Sequence, residues 1–168
     1  MAKVVTLGYT DTAIPEITTL NFPRGLLNFG ADWSIQNSGN GKELTIVNHT
    51  SPLGTPPEKI RLSISDVANI FTGTSVEPSI YLPNKKGKSI LAQLTECWVI
   101  TDDADATYRV ELPISAHIVL KVPMSEYVTG ARLEGLVGRL VSGLYETGST
   151  ATTRFDGLVR GSLAPSDV

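Results

Sequence analysis

The stretch from Leu112 to Tyr145 constrains this chain more than any other. Leu112, Ile114, Ala116, Ile118, Leu120 and Val122 alternate with Pro113, Ser115, His117, Val119 and Lys121. A period of two with β-branched residues predicts a strand with one dry face and one wetter face. Pro123 ends it. Leu133, Leu136, Val137, Leu140, Val141 and Leu144 then recur at helical spacing, forming one apolar stripe. Arg132, Glu134, Arg139, Ser142 and Glu146 lie off it. Thr129 is a suitable N-cap and Gly148 stands just past the predicted end. Gly135, Gly138 and Gly143 each lower helix propensity by roughly 1 kcal/mol against alanine, a penalty that implies close backbone packing. Thr152 or Thr153 can cap a second, short helix carrying Phe155, Leu158 and Val159, with a loose tail from Ala164 to Val168.

A strand feeding a helix needs a sheet to join. Trp33 and Ile35 alternate with Asp32, Ser34 and Gln36, so a strand is expected from Ala31. The Asn40-Gly41 pair follows, a strong hairpin signal. Gly41-Lys42 does not form a phosphate loop, because Glu43 stands where that motif needs Ser or Thr. Strands are predicted at 43–49 and 58–65, joined by a Pro/Gly loop, then at 89–101 and 107–122. Asp102, Asp103 and Asp105 sit between the last two. No register of the calcium-loop motif fits them: from Asp102 the sixth and twelfth positions hold Thr107 and Pro113. A polar hairpin tip is expected instead. Residues 66–88 read as irregular, with Lys85-Lys86-Gly87-Lys88 as a compact basic loop tip. Upstream, Val4–Tyr9 and Ile17–Phe22 flank a Thr-Asp-Thr turn and Pro15, predicting an N-terminal β-hairpin.

The fold class is therefore α+β, in one domain of 168 residues: a hairpin and loop over 1–30, an antiparallel five-stranded sheet over 31–122, and C-terminal helices over 124–163. No apolar run is long enough to span a bilayer, and the N-terminus lacks the apolar core of a signal peptide, so synthesis in a cytoplasm is expected. Cys97 is the single cysteine and sits in a strand pattern beside Trp98, as a core thiol would. The net charge of -3 argues against a bulk electrostatic signature of nucleic-acid binding. Such binding would have to come from a local patch.

One substantial helix is thin cover for five strands. A sheet of that size needs a second layer on its apolar face, and a second copy could lend its helices through a two-fold interface. The candidate dimer residues are Leu133, Leu136, Val137, Leu140, Val141 and Leu144. The opposite face would carry Thr45, Val47, His49, Lys59, Arg61, Ser63, Ser65, Ser115, His117 and Lys121. Lys59, Arg61 and Lys121 suit phosphates, while the hydroxyls and histidines suit sugar, phosphate or base.

The order of elements resembles the coat proteins of single-stranded RNA bacteriophages. The likeness lies in the last strand ending Leu120-Lys121-Val122-Pro123, the helix ending Gly143-Leu144-Tyr145-Glu146-Thr147-Gly148, Trp33 before an Asn/Ser/Gly hairpin, and the 43–65 strand pair. The resemblance implies an interlocked homodimer whose sheets join edge to edge. The helices of each subunit cover the sheet of the other, and the dimers build an icosahedral shell in the virion. It implies single-stranded RNA as partner on the inner sheet face, with Thr45, Arg61 and His117 at RNA-contacting positions. It further implies a grip on a hairpin that represses translation, although Val47 replaces an expected hydroxyl and Ser115 a base-stacking tyrosine. It also implies that Thr72 to Lys88 shapes contacts between dimers.

Two other readings compete. A helix-grip module also has a late amphipathic helix, but it would need an apolar cavity and helices early in the chain, where no helical period appears. A shell or fibre protein without RNA is the third. Catalysis has no support: neither histidine has a fixed acid or nucleophile in sequence, and no zinc spacing or dinucleotide fingerprint appears. No cofactor, membrane or small-molecule substrate is expected.

Overall fold

The computed structural model describes residues 3–21 and 24–162. The chain divides into two compact units, Leu26–Ser125 and the combination of Met1–Gly25 with Glu126–Val168.

The first unit is the sheet. Strands β1 (Trp33–Gly39), β2 (Glu43–Asn48), β3 (Lys59–Val67), β4 (Gly87–Thr101) and β5 (Arg109–Pro123) form an antiparallel meander in the order β1-β2-β3-β4-β5. The first strand starts later than the alternation suggests. Ala31 and Asp32 belong to a single helical turn, α1 (Phe29–Asp32), whose N-terminus is capped by Asn28 Oδ1 accepting from the Ala31 N–H at 3.3 Å. The β1–β2 turn is as expected. Asn40 and Gly41 both have positive φ, 45° and 68°, and the Lys42 N–H donates to the Gly39 carbonyl at 2.9 Å. That is the type I′ geometry which Asn-Gly favours. The β4–β5 tip is also as expected. Asp102 accepts from the Ala104 N–H at 2.8 Å, and Asp105 accepts from the Thr107 N–H and hydroxyl at 2.9 and 2.6 Å. These bonds from Thr107 hold the Asp105 carboxyl below its ordinary pKa. Among the described residues no group of His, Cys, Asp and Glu is placed to hold a metal.

The basic run at 85–88 is not a free tip. Gly87 and Lys88 already belong to β4. The Lys85 carbonyl accepts from the Ile70 N–H at 2.9 Å, and the Lys86 carbonyl from the Met124 N–H at 3.1 Å. A Cβ on Gly87 would lie 2.7 Å from the Val122 carbonyl oxygen and 3.0 Å from the Ile70 side chain, so only glycine fits. Further into the loop, Phe71 stacks on Tyr81 at 4.2 Å, and the Lys85 ammonium sits 5.8 Å from the Tyr81 ring centroid. The irregular segment thus folds back on itself.

Register builds the apolar face. Ile46, Ile60, Leu94 and Ala116 form one row across β2–β5, Leu44, Leu62, Ala92 and Ile118 the next, and Ile64, Ile90 and Leu120 a third. Trp33 joins Ile46 and Ile60, and these three are the buried hydrophobic residues among those described, packed by Leu44 and Leu94. Leu62 and Ile64 are 42% and 41% exposed. A fully buried aliphatic side chain contributes about 1.5–3 kcal/mol, so this face leaves stabilisation unrealised. Cys97 is partly exposed rather than in the core, and its neighbour in register is Pro113. Beyond Lys59↔Thr95 the β4–β5 ribbon continues for six further pairs without β3. β5 is an edge strand, which is where Pro113 can be accommodated.

In the second unit the predicted N-terminal hairpin is absent among the described residues. Residues 3–21 contain no strand, and Phe22 lies outside the described residues. Pro15 and the positive φ of Glu16, 63°, break any extended return, leaving a bend closed by the Ile17 N–H on the Ile14 carbonyl at 3.3 Å. Helix α2 (Gly130–Ser142) follows Thr129 as predicted, although the Thr129 hydroxyl makes no capping bond. It stops earlier than predicted, at Gly143, whose N–H donates to the Arg139 and Leu140 carbonyls. Leu144 is therefore past the helix. Gly148, at φ 75°, sits in a later turn where a Cβ would come within 3.1 Å of the Ile17 side chain. Tyr145 pairs with Thr153, and the last helix, α3 (Phe155–Val159), is entered from Arg154 rather than from Thr152 or Thr153. The close packing expected at Gly135 and Gly138 does not occur among the described residues: a Cβ there meets none of them within 4 Å. Leu163 and the tail from Ala164 lie outside the described residues.

Candidate nucleic-acid interface

Directly opposed residues in an antiparallel sheet share a face. The register therefore gathers four rows on the face opposite the apolar one: Val47, Lys59, Thr95 and Ser115; Thr45, Arg61, Gln93 and His117; Glu43, Ser63, Leu91 and Val119; and Ser65, Ser89 and Lys121. At about 4.8 Å between strands the second row spans roughly 14 Å. β1 adds Ser34 opposite Val47 and Asn37 opposite Thr45, after a bulge between Ile35 and Asn37.

Eight of the nine predicted RNA-binding residues, Thr45, Val47, Lys59, Arg61, Ser63, Ser115, His117 and Lys121, share this face, as does Ser65. His49 does not. It lies past β2, its N–H donates to the Asp32 carbonyl at 2.9 Å, and its Nε2 is 2.9 Å from the Ala31 carbonyl oxygen. The alternation that placed it on the face ends with the strand. Within the four β2–β5 rows, four polar residues went unread: Glu43, Ser89, Gln93 and Thr95. Glu43 has the parity of Thr45 and Val47, and the other three are alternate polar positions of the predicted 89–101 strand. Carrying the period of two through that strand would have found them.

The electrostatics are local. Arg61 donates from Nε to Glu43 Oε1 at 3.0 Å and from Nη2 to Oε2 at 3.2 Å, a two-pronged contact. The hydrogen bonds from Arg61, and then its charge, hold the Glu43 carboxyl below its ordinary pKa; the same contacts raise that of Arg61. At the distal end of the face Arg109 binds Glu111 at 2.7 Å. Lys59 and Lys121 form no ion pair among the described residues. Elsewhere, Lys42 binds Asp66 at 2.9 Å, and that hydrogen bond leads the causes lowering the Asp66 pKa.

Solved structures share this architecture. One chain of the virus-like particle of bacteriophage AVE015 superposes with a TM-score of 0.84 at 24% identity, over 99% of this chain and 100% of that one. The two chains share one fold. A chain of the virus-like particle of bacteriophage GQ-112 matches at a TM-score of 0.65 and 15% identity, over 90% of this chain and 96% of that one. No protein-family model and no curated protein sequence matches the chain. A five-stranded sheet followed by C-terminal helices is the architecture that the resemblance implied.

The predicted dimer stripe divides in two within that fold. Val137 and Val141, with Ile14, Leu20 and Tyr145, line a cleft of about 520 Å³ in the helical unit. Leu136 and Leu140 are 56% and 59% exposed, while Leu133 and Leu144 are half-buried.

Proposed function

We propose that this chain is a coat protein of a single-stranded RNA bacteriophage, made in the host cytoplasm and assembled into the icosahedral shell of the virion. The observation that carries the reading is the end-to-end match to a particle-forming chain, 99% of one against 100% of the other. The unfinished apolar face supports self-association. Leu62 and Ile64 on the sheet, and Leu136 and Leu140 on α2, are exposed in one chain. Gly135 and Gly138 have open space where a neighbour's backbone could approach. In the proposed homodimer the helices of each subunit cover the apolar sheet face of the other. Residues Thr72 to Lys88, the loop before β4 and the first two positions of that strand, shape contacts between dimers.

The polar face is the proposed RNA surface. Lys59, Arg61 and Lys121 bind phosphates, and Thr45, Ser63, Ser115 and His117 bond sugar, phosphate or base. Val47 and Ser115 offer no hydroxyl and no aromatic ring, respectively, at the positions that grip a hairpin, so packaging is favoured over a tight translational operator. A helix-grip binding module loses support, because such a module has no reason to align throughout with a particle chain. Electron microscopy of the purified protein, together with its 260/280 nm absorbance ratio, tests the proposal. Closed particles containing nucleic acid are expected. A monodisperse monomer at high concentration would overturn it.

A further inference from the structure

We infer that Glu43 is a built-in competitor for the phosphate site of Arg61, a carboxylate that an RNA phosphate must displace before the guanidinium can engage it. The inference rests on the RNA-packaging reading above. A carboxylate and a phosphodiester present the same pair of anionic oxygens to the guanidinium fork. Glu43 satisfies two prongs of that fork, Nε and Nη2, at 3.0 and 3.2 Å. The geometry comes from the sheet. Glu43 is opposite Ser63, and Arg61 is opposite Thr45, so the two are diagonal neighbours on one face. The adjoining Asn40-Gly41 turn anchors the β2 end that carries Glu43.

The pattern separates the cations of this face by type. Both arginines are held by glutamates, Arg61 by Glu43 and Arg109 by Glu111. Neither lysine, Lys59 nor Lys121, forms an ion pair among the described residues. The point charges are available to any polyanion, while the forked donors are kept occupied. The Arg61 and Glu43 side chains are 45% and 35% exposed, so a ligand can reach the pair and solvent weakens it. Glu43 therefore attenuates binding without abolishing it, and its effect passes through Arg61.

The test is fluorescence anisotropy of a labelled 20-nucleotide oligouridylate with the full chain, stripped of copurifying nucleic acid, across a series of KCl concentrations. Glu43→Gln is expected to bind about two- to fivefold more tightly at low salt, with a log–log salt slope steeper by about 0.7. Glu43→Ser should do the same, which guards against a new contact from the introduced amide. In an Arg61→Gln background the Glu43 substitution should have no effect, the signature of a coupled pair. Weaker binding by Glu43→Gln would make Glu43 an organiser of Arg61 and overturn the inference. An equal gain with and without Arg61 would reduce it to general charge removal and also overturn it. If the unmodified chain does not bind the oligonucleotide and Lys59→Gln/Lys121→Gln changes nothing, the RNA reading itself fails, and this inference with it.

Discussion

Arg139 lays its guanidinium over the ring of Tyr9, 3.6 Å from the centroid, and also bonds the Asp11 carboxylate. The N-terminal segment, which has no strand of its own, is thereby fastened to α2. Arg139→Gln is expected to loosen it. Proteolytic cleavage within residues 3–13 should accelerate roughly two- to fivefold, as loss of an exposed cation–π contact implies. Arg139→Lys should behave similarly, because lysine keeps the charge but not the planar fork. Limited proteolysis followed by mass spectrometry is the measurement, and unchanged cleavage would show that the contact does not hold the segment.

Gly87→Ala tests the packing between the β3–β4 loop and β5. The new methyl would meet the Val122 carbonyl at 2.7 Å, a backbone atom that cannot swing aside. Overpacking of this kind costs about 1–3 kcal/mol. A drop in thermal midpoint is expected, with the folded spectrum retained below it.

Leu136→Asp and Leu140→Asp test the proposed dimer. Both side chains are more than half exposed in the single chain, so its own secondary structure should persist by circular dichroism. In a dimer the same carboxylate would be buried without a partner, which is strongly destabilising. Size-exclusion chromatography should lose the particle peak. Particles of normal yield would remove these leucines from the interface.

Replacing Lys59, Arg61 and Lys121 together by glutamine tests the polar face. RNA binding should weaken, and the salt slope should flatten by about 1.4, roughly 0.7 for each of the unpaired Lys59 and Lys121, since Arg61 is already held by Glu43. An unchanged slope would exclude the patch.

The Glu43–Arg61 pair also predicts a pH response. The Glu43 carboxyl is held below its ordinary pKa by the hydrogen bonds and then the charge of Arg61. A carboxyl depressed in the folded state contributes its full stabilisation above its unfolded value. That contribution is lost as pH falls through the lowered folded value. In an NMR titration the Glu43 midpoint should rise in Arg61→Gln toward the ordinary carboxylate range. An identical midpoint in both proteins would mean the pair does not persist in solution.

What could be read from the sequence was governed by local chemistry. The β5 alternation, the α2 stripe, the Asn40-Gly41 turn and the Asp102–Asp105 tip each carry their cause within a few residues. The N-terminal hairpin was misread because Val4–Tyr9 has a strand-like pattern, while the contacts that hold it come from Arg139, far along the chain. Lys85–Lys88 looked like a free loop because the demand for Gly87 comes from the Val122 carbonyl on another strand. His49 was assigned to the polar face by parity alone, and parity has no meaning once β2 has ended. Glu43 was passed over as a phosphate-loop mismatch, and its bond to Arg61 appears only when β2 and β3 are in register.

The margin formed by β5 has a further effect. It runs for 15 residues up to Pro123, and its interior is broken by one proline, Pro113, which has no amide hydrogen to offer. Another ribbon sliding along that rim would meet a missing rung at Pro113. Most offsets would strand a carbonyl opposite the gap, so a single imino acid can act as a notch that indexes how two such rims mesh.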